Sequence, residues 1–245
     1  MEWLAVILLG LLIGYVGGYA GIGGAPFMIA FLVLVVGMDQ HTAQGTVLTM
    51  MLGPMSLMAV IGLWNETKKQ WKNILIGIVS YAFFSYFGAR WAFLLPEKQL
   101  KIYFALMLVI TAVFQLLNNK TESNSNEQIP WFWMTLTGSV AGIVGGFFGV
   151  GAGVLFIPVF ISLFGLKKNY ARALSLGILL PPVSLGAFIK YYEMDAIRWD
   201  YVVILFAGYF IANYLGAKHG SRASLRKFKI VYAVILLVLA GLYFL

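Results

Sequence analysis

Broken at charged residues and proline, the chain reads as long apolar runs separated by short polar interruptions. The runs fall at about 3–14, 26–37, 43–64, 73–95 and 101–117. After a polar stretch at 118–130 the pattern returns at about 131–142, 152–165, 171–189, 201–217 and 228–245. In each half the last three runs are long enough to cross a hydrocarbon layer about 30 Å thick as helices, and the first two are about half that length. Glycine-rich stretches lie between the two short runs, at Gly14–Pro26 and again at Gly142–Val154. Each glycine costs a helix about 1 kcal/mol against alanine. At membrane depth, freed peptide groups are tolerated only against protein or a water-filled cavity. The pattern therefore predicts two broken helices that meet at a site.

The two halves also match residue by residue. Gly14, Val16, Gly17, Gly18, Gly21 and Gly23 recur 128 positions later as Gly142, Val144, Gly145, Gly146, Gly149 and Gly151. The same shift aligns the halves without a gap, with roughly a quarter of positions identical. It pairs Gly37 with Gly165, Pro54 with Pro182, Ser56 with Ser184, Trp71 with Trp199 and Tyr81 with Tyr209. The expected organisation is a first transmembrane repeat at 1–117, a polar linker at 118–130 and a second repeat at 131–245. The expected fold is an all-α polytopic membrane protein of two homologous repeats, each with a glycine-broken half-helix pair plus three membrane-crossing helices. If each pair is a re-entrant hairpin the repeats are inverted, and if it makes one full crossing they are parallel. Loop lysine and arginine favour neither, and both place the basic 218–229 loop in the cytoplasm. Half-length runs fit hairpins, which favours inverted repeats, an arrangement common in secondary transporters.

Composition agrees with lipid as the solvent: 61% of residues are apolar, 11% are charged, and mean hydropathy is +0.89. Glu2 stands where a cleavable leader would carry basic residues, so no detachable signal peptide is expected. The net charge of +8 reads as loop lysine and arginine that hold orientation, with no stripe for nucleic acid. The tryptophans lie mostly near segment ends, as an interfacial belt does. The absence of cysteine excludes disulfides, thiolate metal sites and thiol catalysis. His41 and His219 are not equivalent positions and have no carboxylate cluster beside them, so no metal or cofactor is expected. All acids fall in loops or at segment ends, which leaves no intramembrane carboxylate for proton coupling. With no G-x-S-x-G elbow, no phosphate-binding loop and no pair of membrane aspartates, an enzyme is not expected.

Candidate chemistry centres on the glycine stretches. A half-helix starting at Pro26 or Val154 would aim peptide N–H groups and its positive dipole end at an anion. This nominates Gly17, Gly18, Gly21, Gly23 and Gly24, with Gly145, Gly146, Gly149, Gly151 and Gly153, as a backbone cradle. The alternative is close helix packing through small residues. Gln44 and Arg172 are equivalent positions, with Thr46 and Ser175 nearby. Arg172 is placed to hold an oxyanion bidentately, with Gln44, Thr46 and Ser175 as further donors; equally, Arg172 reads as a loop charge beside Lys167 and Lys168. Arg90 and Lys218 form a second equivalent pair, suited to an anion path or to snorkelling. Pro54 and Pro182 interrupt long apolar runs and predict kinks, with gating as a possible use.

The doubled Gly-x-x-Gly-Gly-x-x-Gly-x-Gly core resembles the TauE/SafE sulfite-exporter family, also called the toluene sulfonate uptake permease family. So do the following Ala-x-x-(Thr/Ser)-x-Leu-like turns and the pairs Gly88-Ala89-Arg90 and Gly216-Ala217-Lys218. The resemblance covers nearly the whole chain outside the linker. The halves differ where Gly24-Ala25-Pro26 faces Ala152-Gly153-Val154, and where Leu174 replaces the Thr46-type hydroxyl, which moves to Ser175. The resemblance implies a secondary permease of sulfite, sulfonates or related organic anions in the inner cell membrane. Its partners would be a small anion and the bilayer. The competing expectations are a non-transporting membrane scaffold, in which the glycines only bring helices together, and an anion channel.

Overall fold

A computed structural model describes residues 2–20, 24–117, 129–151, 153–220 and 225–244. These described residues form thirteen α-helices and no strand. The first half contains α1 (Glu2–Ala20), α2 (Ala25–Leu34), α3 (Gln40–Met50), α4 (Leu57–Gly62), α5 (Trp64–Lys69), α6 (Trp71–Ala92) and α7 (Glu97–Leu117). The second contains α8 (Trp131–Phe148), α9 (Gly153–Ser162), α10 (Lys168–Ile178), α11 (Leu185–Glu193), α12 (Trp199–Gly220) and α13 (Leu225–Leu242). Among the described residues, Trp71–Ala92, Trp131–Phe148 and Trp199–Gly216 are long and apolar enough to cross a bilayer. Leu75, Val79 and Phe83 make an exposed apolar stripe along α6. In water such a stripe would be a liability, whereas in lipid it is the solvated face. All of the tryptophans are exposed and lie at or near helix ends, at the depth where amphipathic rings settle. This is a multi-pass membrane protein.

Local sequence explains the short helices. At α2, the Gly24 carbonyl accepts the Phe27 and Met28 N–H groups at 3.1 Å each, and proline stands in the first turn, where its missing donor is harmless. Past the ends of α2 at Leu34 and α9 at Ser162, the chain turns at a glycine with positive φ, Gly37 at 77° and Gly165 at 64°. The next N–H reaches back over the terminus in each case, Met38 to the Leu32 carbonyl at 3.0 Å and Leu166 to the Phe160 carbonyl at 3.1 Å. Asp39 starts α3 by accepting the Thr42 N–H at 2.9 Å.

Two sequence expectations change. The runs 43–64 and 171–189 are not kinked spans: α3 stops at Met50 and α4 begins at Leu57, while α10 stops at Ile178 and α11 begins at Leu185. Proline removes a donor and clashes with the preceding turn, and at Pro54 and Pro181-Pro182 the helix stops instead of bending. The runs at 3–14 and 131–142 are also not half-length, because α1 continues to Ala20 through Gly14, Gly17 and Gly18, and α8 continues to Phe148 through Gly142, Gly145 and Gly146. The half-length helices are therefore α2, α3, α9 and α10, with α4, α5 and α11 shorter still.

The two halves interlock. α1 packs along α12, and α8 packs along α6. Glycine permits both approaches: a methyl at Gly14 would lie 2.6 Å from the Tyr209 carbonyl oxygen, and one at Gly142 would lie 2.6 Å from that of Tyr81. One apolar core gathers α1, α2, α3, α7, α12 and α13 around Met28, Ile29, Phe104 and Leu205. A second gathers α6, α8, α9 and α10 around Tyr81, Phe156 and Phe160. Leu48, Ala89, Ala187, Tyr191, Ala196 and Ile197 form a third, smaller cluster from α3, α6, α11 and the segment before α12.

Candidate substrate site

The second glycine stretch divides into a helical part and a break. Gly145 and Gly146 lie inside α8, so their peptide groups belong to the helix and leave no free cradle there. They serve contact instead: a methyl on Gly145 would strike the Tyr81 hydroxyl, and one on Gly146 the Ser85 carbonyl. The break begins at Gly149, which caps α8 in the left-handed region at φ 71°, and Gly151 follows at φ 67°. Side chains rarely adopt that conformation, so glycine is needed at both. From Gly153 the chain resumes as α9, so the carbonyl end of one helix and the N–H end of another flank the break. In the first stretch, Gly17 and Gly18 fall within α1, Gly24 caps α2, and Gly21 and Gly23 lie outside the described residues. At Gly17, Gly18 and Gly153 only the backbone is described.

Gln44 closes on the break. It is fully buried on α3, and a Cβ on Gly149 would lie 2.7 Å from the Gln44 Cβ. The Tyr191 hydroxyl donates to Gln44 Oε1 at 2.7 Å, with the Gly146 carbonyl 3.4 Å from the same hydroxyl. Holding the amide by its oxygen leaves Nε2 as the outward donor, and Gln44 Nε2 is buried without a hydrogen-bond partner. Tyr191 reaches this position because α11 is pinned to α6, where the Ala187 N–H donates to Ser85 Oγ at 3.1 Å. The sequence reading missed Tyr191. It lies just past the 171–189 run, in a Lys-Tyr-Tyr-Glu stretch that reads as an interfacial end.

The remaining candidates are distributed around this cluster. Thr46 is fully buried, and its Oγ1 accepts the Arg198 N–H at 3.0 Å, which fastens α3 to the segment entering α12. On α10, Ser175 Oγ is buried without a partner, and so is Arg172 Nε. The salt bridges among the described residues are Lys101–Glu97, Lys190–Glu193 and Arg198–Asp200, so the half-buried Arg172 side chain takes part in none. No hydrogen bond or ion pair among the described residues joins Arg172 or Ser175 to Gln44. Arg90 is exposed in the last turn of α6, where a cation suits the helix dipole. Pro54 and Pro182 are exposed in their breaks, and the Lys218 side chain lies outside the described residues. Among the described residues no three His, Asp or Glu side chains cluster as metal ligands.

The two proline breaks are joined crosswise. Ser56 Oγ donates to the Leu176 carbonyl at 3.0 Å, and Ser184 Oγ donates to the Leu48 carbonyl at 3.4 Å. Both acceptors lie in the last turns of α10 and α3, where helix ends leave carbonyls without intrahelical donors. Both bonds connect the same pair of positions in opposite halves. Gln44 sits one turn before Leu48, and Arg172 one turn before Leu176.

Comparison with known proteins agrees with this architecture. The chain is 26% identical to the probable membrane transporter protein YdhB of Bacillus subtilis, over 88% of this chain and 89% of that protein. It is 25% identical to a probable membrane transporter protein of Methanocaldococcus jannaschii, over 98% of this chain and 94% of the relative. The probable membrane transporter protein YunE of Bacillus subtilis matches at 21%, over 98% and 96%. The family described as Sulfite exporter TauE/SafE matches residues 6–243. With its all-helical fold and lipid-facing apolar stripes, the chain therefore belongs to the TauE/SafE family of membrane transporters.

Proposed function

We propose that this protein moves small sulfur oxyanions, sulfite or sulfonates, across the inner cell membrane by alternating access between two homologous halves. The carrying observation is that Gln44 Nε2, Ser175 Oγ and Arg172 Nε are all buried without a partner. Leaving a buried donor unsatisfied costs about 1–3 kcal/mol, and native proteins tolerate few such groups. Each of the three donates, as an acceptor-only guest requires. Gln44 lies against Gly149 at the α8 side of the break; α9 begins on the other side, at Gly153, and its N–H end would favour negative charge. Arg172 adds the only formal charge of the three, with no carboxylate neutralising it among the described residues. Thr46 anchors the segment before α12 and supports the site from behind. The crossed serine bonds favour two halves that meet at the proline breaks, with Pro54 and Pro182 as gating positions and Arg90 and Lys218 on the anion path.

The test is uptake of labelled sulfite and sulfonates into proteoliposomes of the purified protein. Saturable flux is expected, and Arg172→Leu or a bulky residue at Gly151 should abolish it. The same anions should raise the unfolding temperature of the wild type. Absence of both flux and stabilisation would favour the scaffold reading, which the glycine packing of α8 against α6 supports. Flux that never saturates would instead indicate a channel.

A further inference from the structure

We infer that Gln40, with its carbonyl held by Tyr243, is a second anion station on the route to the central site, a role that rests on the anion-carrier reading above. Gln40 and Gln44 are one turn apart on α3, on the same helix face and about 6 Å apart along its axis. Both are fully buried. At each, a tyrosine hydroxyl distant in sequence donates to the amide oxygen: Tyr243, just past the end of α13, to Gln40 Oε1 at 3.1 Å, and Tyr191 on α11 to Gln44 Oε1 at 2.7 Å. At each, the amide nitrogen is buried and has no partner.

Two tyrosines holding two glutamines in the same sense make a directional arrangement. With its oxygen engaged, a glutamine offers only N–H donors, which suit an oxyanion and repel a cation. An orphaned buried amide is unusual, and two on successive turns of one short helix call for a common cause. Gln40 stands at the first turn of α3, beside the 35–39 connection, and Gln44 stands at the break, so the pair spans from the helix entrance to its interior.

The charges at this entrance leave the donors usable. Glu97 is held by Lys101 at 2.8 Å, and one of its oxygens lies 3.4 Å from the Gln40 backbone N–H. Asp39 is occupied with the α3 cap. His41 places Nε2 3.2 Å from the Ala92 carbonyl and stacks on Phe93 at 4.6 Å. Phe104 packs against Tyr243 at 5.5 Å and against Phe148 at 6.2 Å, so apolar rings stand beside the Tyr243–Gln40 pair and the amides supply the polar contacts.

The deciding variant is the double substitution Gln40→Leu/Tyr243→Phe. It removes an unpartnered amide and the hydroxyl bonded to it together, so thermal stability should stay at or above wild type. In proteoliposomes the maximal rate of labelled sulfite uptake should fall about tenfold, with half-saturation little changed, because the central site is intact. Gln44→Leu should instead raise the half-saturation concentration. Tyr243→Phe alone, the mildest change, should lower the maximal rate in the same direction. If the wild type carries sulfite saturably and the double variant carries it equally well, Gln40 is structural and this inference fails alone. A rate that falls only in parallel with unfolding temperature overturns it as well. If the wild type shows no saturable sulfite flux, the carrier reading fails and takes the second station with it.

Discussion

Gly146 and Gly149 are about one helical turn apart in the same glycine-rich stretch, yet the structure uses them for opposite purposes. Gly146 keeps α8 helical and lets it approach α6 until a Cβ would collide with the Ser85 carbonyl. Gly149 ends α8 by adopting φ 71°, and sets its backbone against Gln44. One glycine is selected for the volume it lacks, the other for the dihedral angle it permits. The difference separates assembly from function: the helical glycines hold the two halves together, and the break glycines shape the proposed site.

The largest effect should follow from filling the helical part. In Gly146→Val, the added Cβ would meet the backbone of Ser85, with the carbonyl carbon at 2.8 Å and Cα at 3.0 Å, so no side-chain rotation relieves it. The cost should exceed about 3 kcal/mol, beyond the usual range for overpacking because backbone opposes backbone. Thermal unfolding and monodispersity in detergent will read it as a poorly assembled protein, with transport lost as a consequence. A variant that assembles normally would remove the distinction between the two regions.

Gly149→Ala should behave differently. Left-handed backbone costs an L-residue about 1–2 kcal/mol, and α3 must also give way where Gln44 Cα would lie 2.9 Å from the new methyl. The unfolding temperature should therefore fall, but by less than in Gly146→Val, whose Cβ would overlap a carbonyl oxygen. The new methyl would press on the Gln44 Cβ from 2.7 Å and turn the amide away from Tyr191. Anion uptake should then fall roughly tenfold or more, the equivalent of about 1.4 kcal/mol at the site. Uptake equal to wild type would show that the break has no part in binding. Comparing the two variants thus sharpens the contrast: equal losses of assembly and of transport in both would mean that one glycine role explains the whole stretch.

Much of this fold was legible in the sequence because membrane solvation leaves few options. Apolar runs of 20 residues must be helices, and α6, α7, α12 and α13 lie near where the runs at 73–95, 101–117, 201–217 and 228–245 place them. The half-helix starts at Ala25 and Gly153 fall within a residue of those predicted from Pro26 and Val154. The division of labour among the glycines was not legible, because the choice between helix and break depends on what stands opposite. Gly142 faces Tyr81 across a helix interface, a relation encoded 61 positions away. The proline runs were misread as kinks for a similar reason. Whether a helix bends or stops near Pro54 depends on what satisfies the carbonyls left at the helix end, and for Leu48 that partner, Ser184, is in the other half of the chain. Tyr191 and Tyr243 escaped notice because tyrosine near a membrane boundary is ordinary, and only their bonds to Gln44 and Gln40 distinguish them.

The smallest effect tests whether the two proline breaks are as alike as the glycine regions are different. Ser56→Ala and Ser184→Ala each remove one hydroxyl that satisfies a helix-end carbonyl of the opposite half. A net hydrogen bond contributes about 0.5–1.5 kcal/mol, or about 2–4 °C per kcal/mol of unfolding temperature for a chain of this size. The Ser56 bond is shorter, 3.0 Å against 3.4 Å, so its loss should be the larger of the two. Both serines span the same junction, so the double variant measures whether they act as one clasp. A coupling energy near zero would make them two independent helix caps, whereas a coupling of about 0.5 kcal/mol or more would mean that both breaks open and close together. The latter is the behaviour required of two halves that expose a central anion site alternately, and the former would leave the crossed bonds as a static feature of assembly.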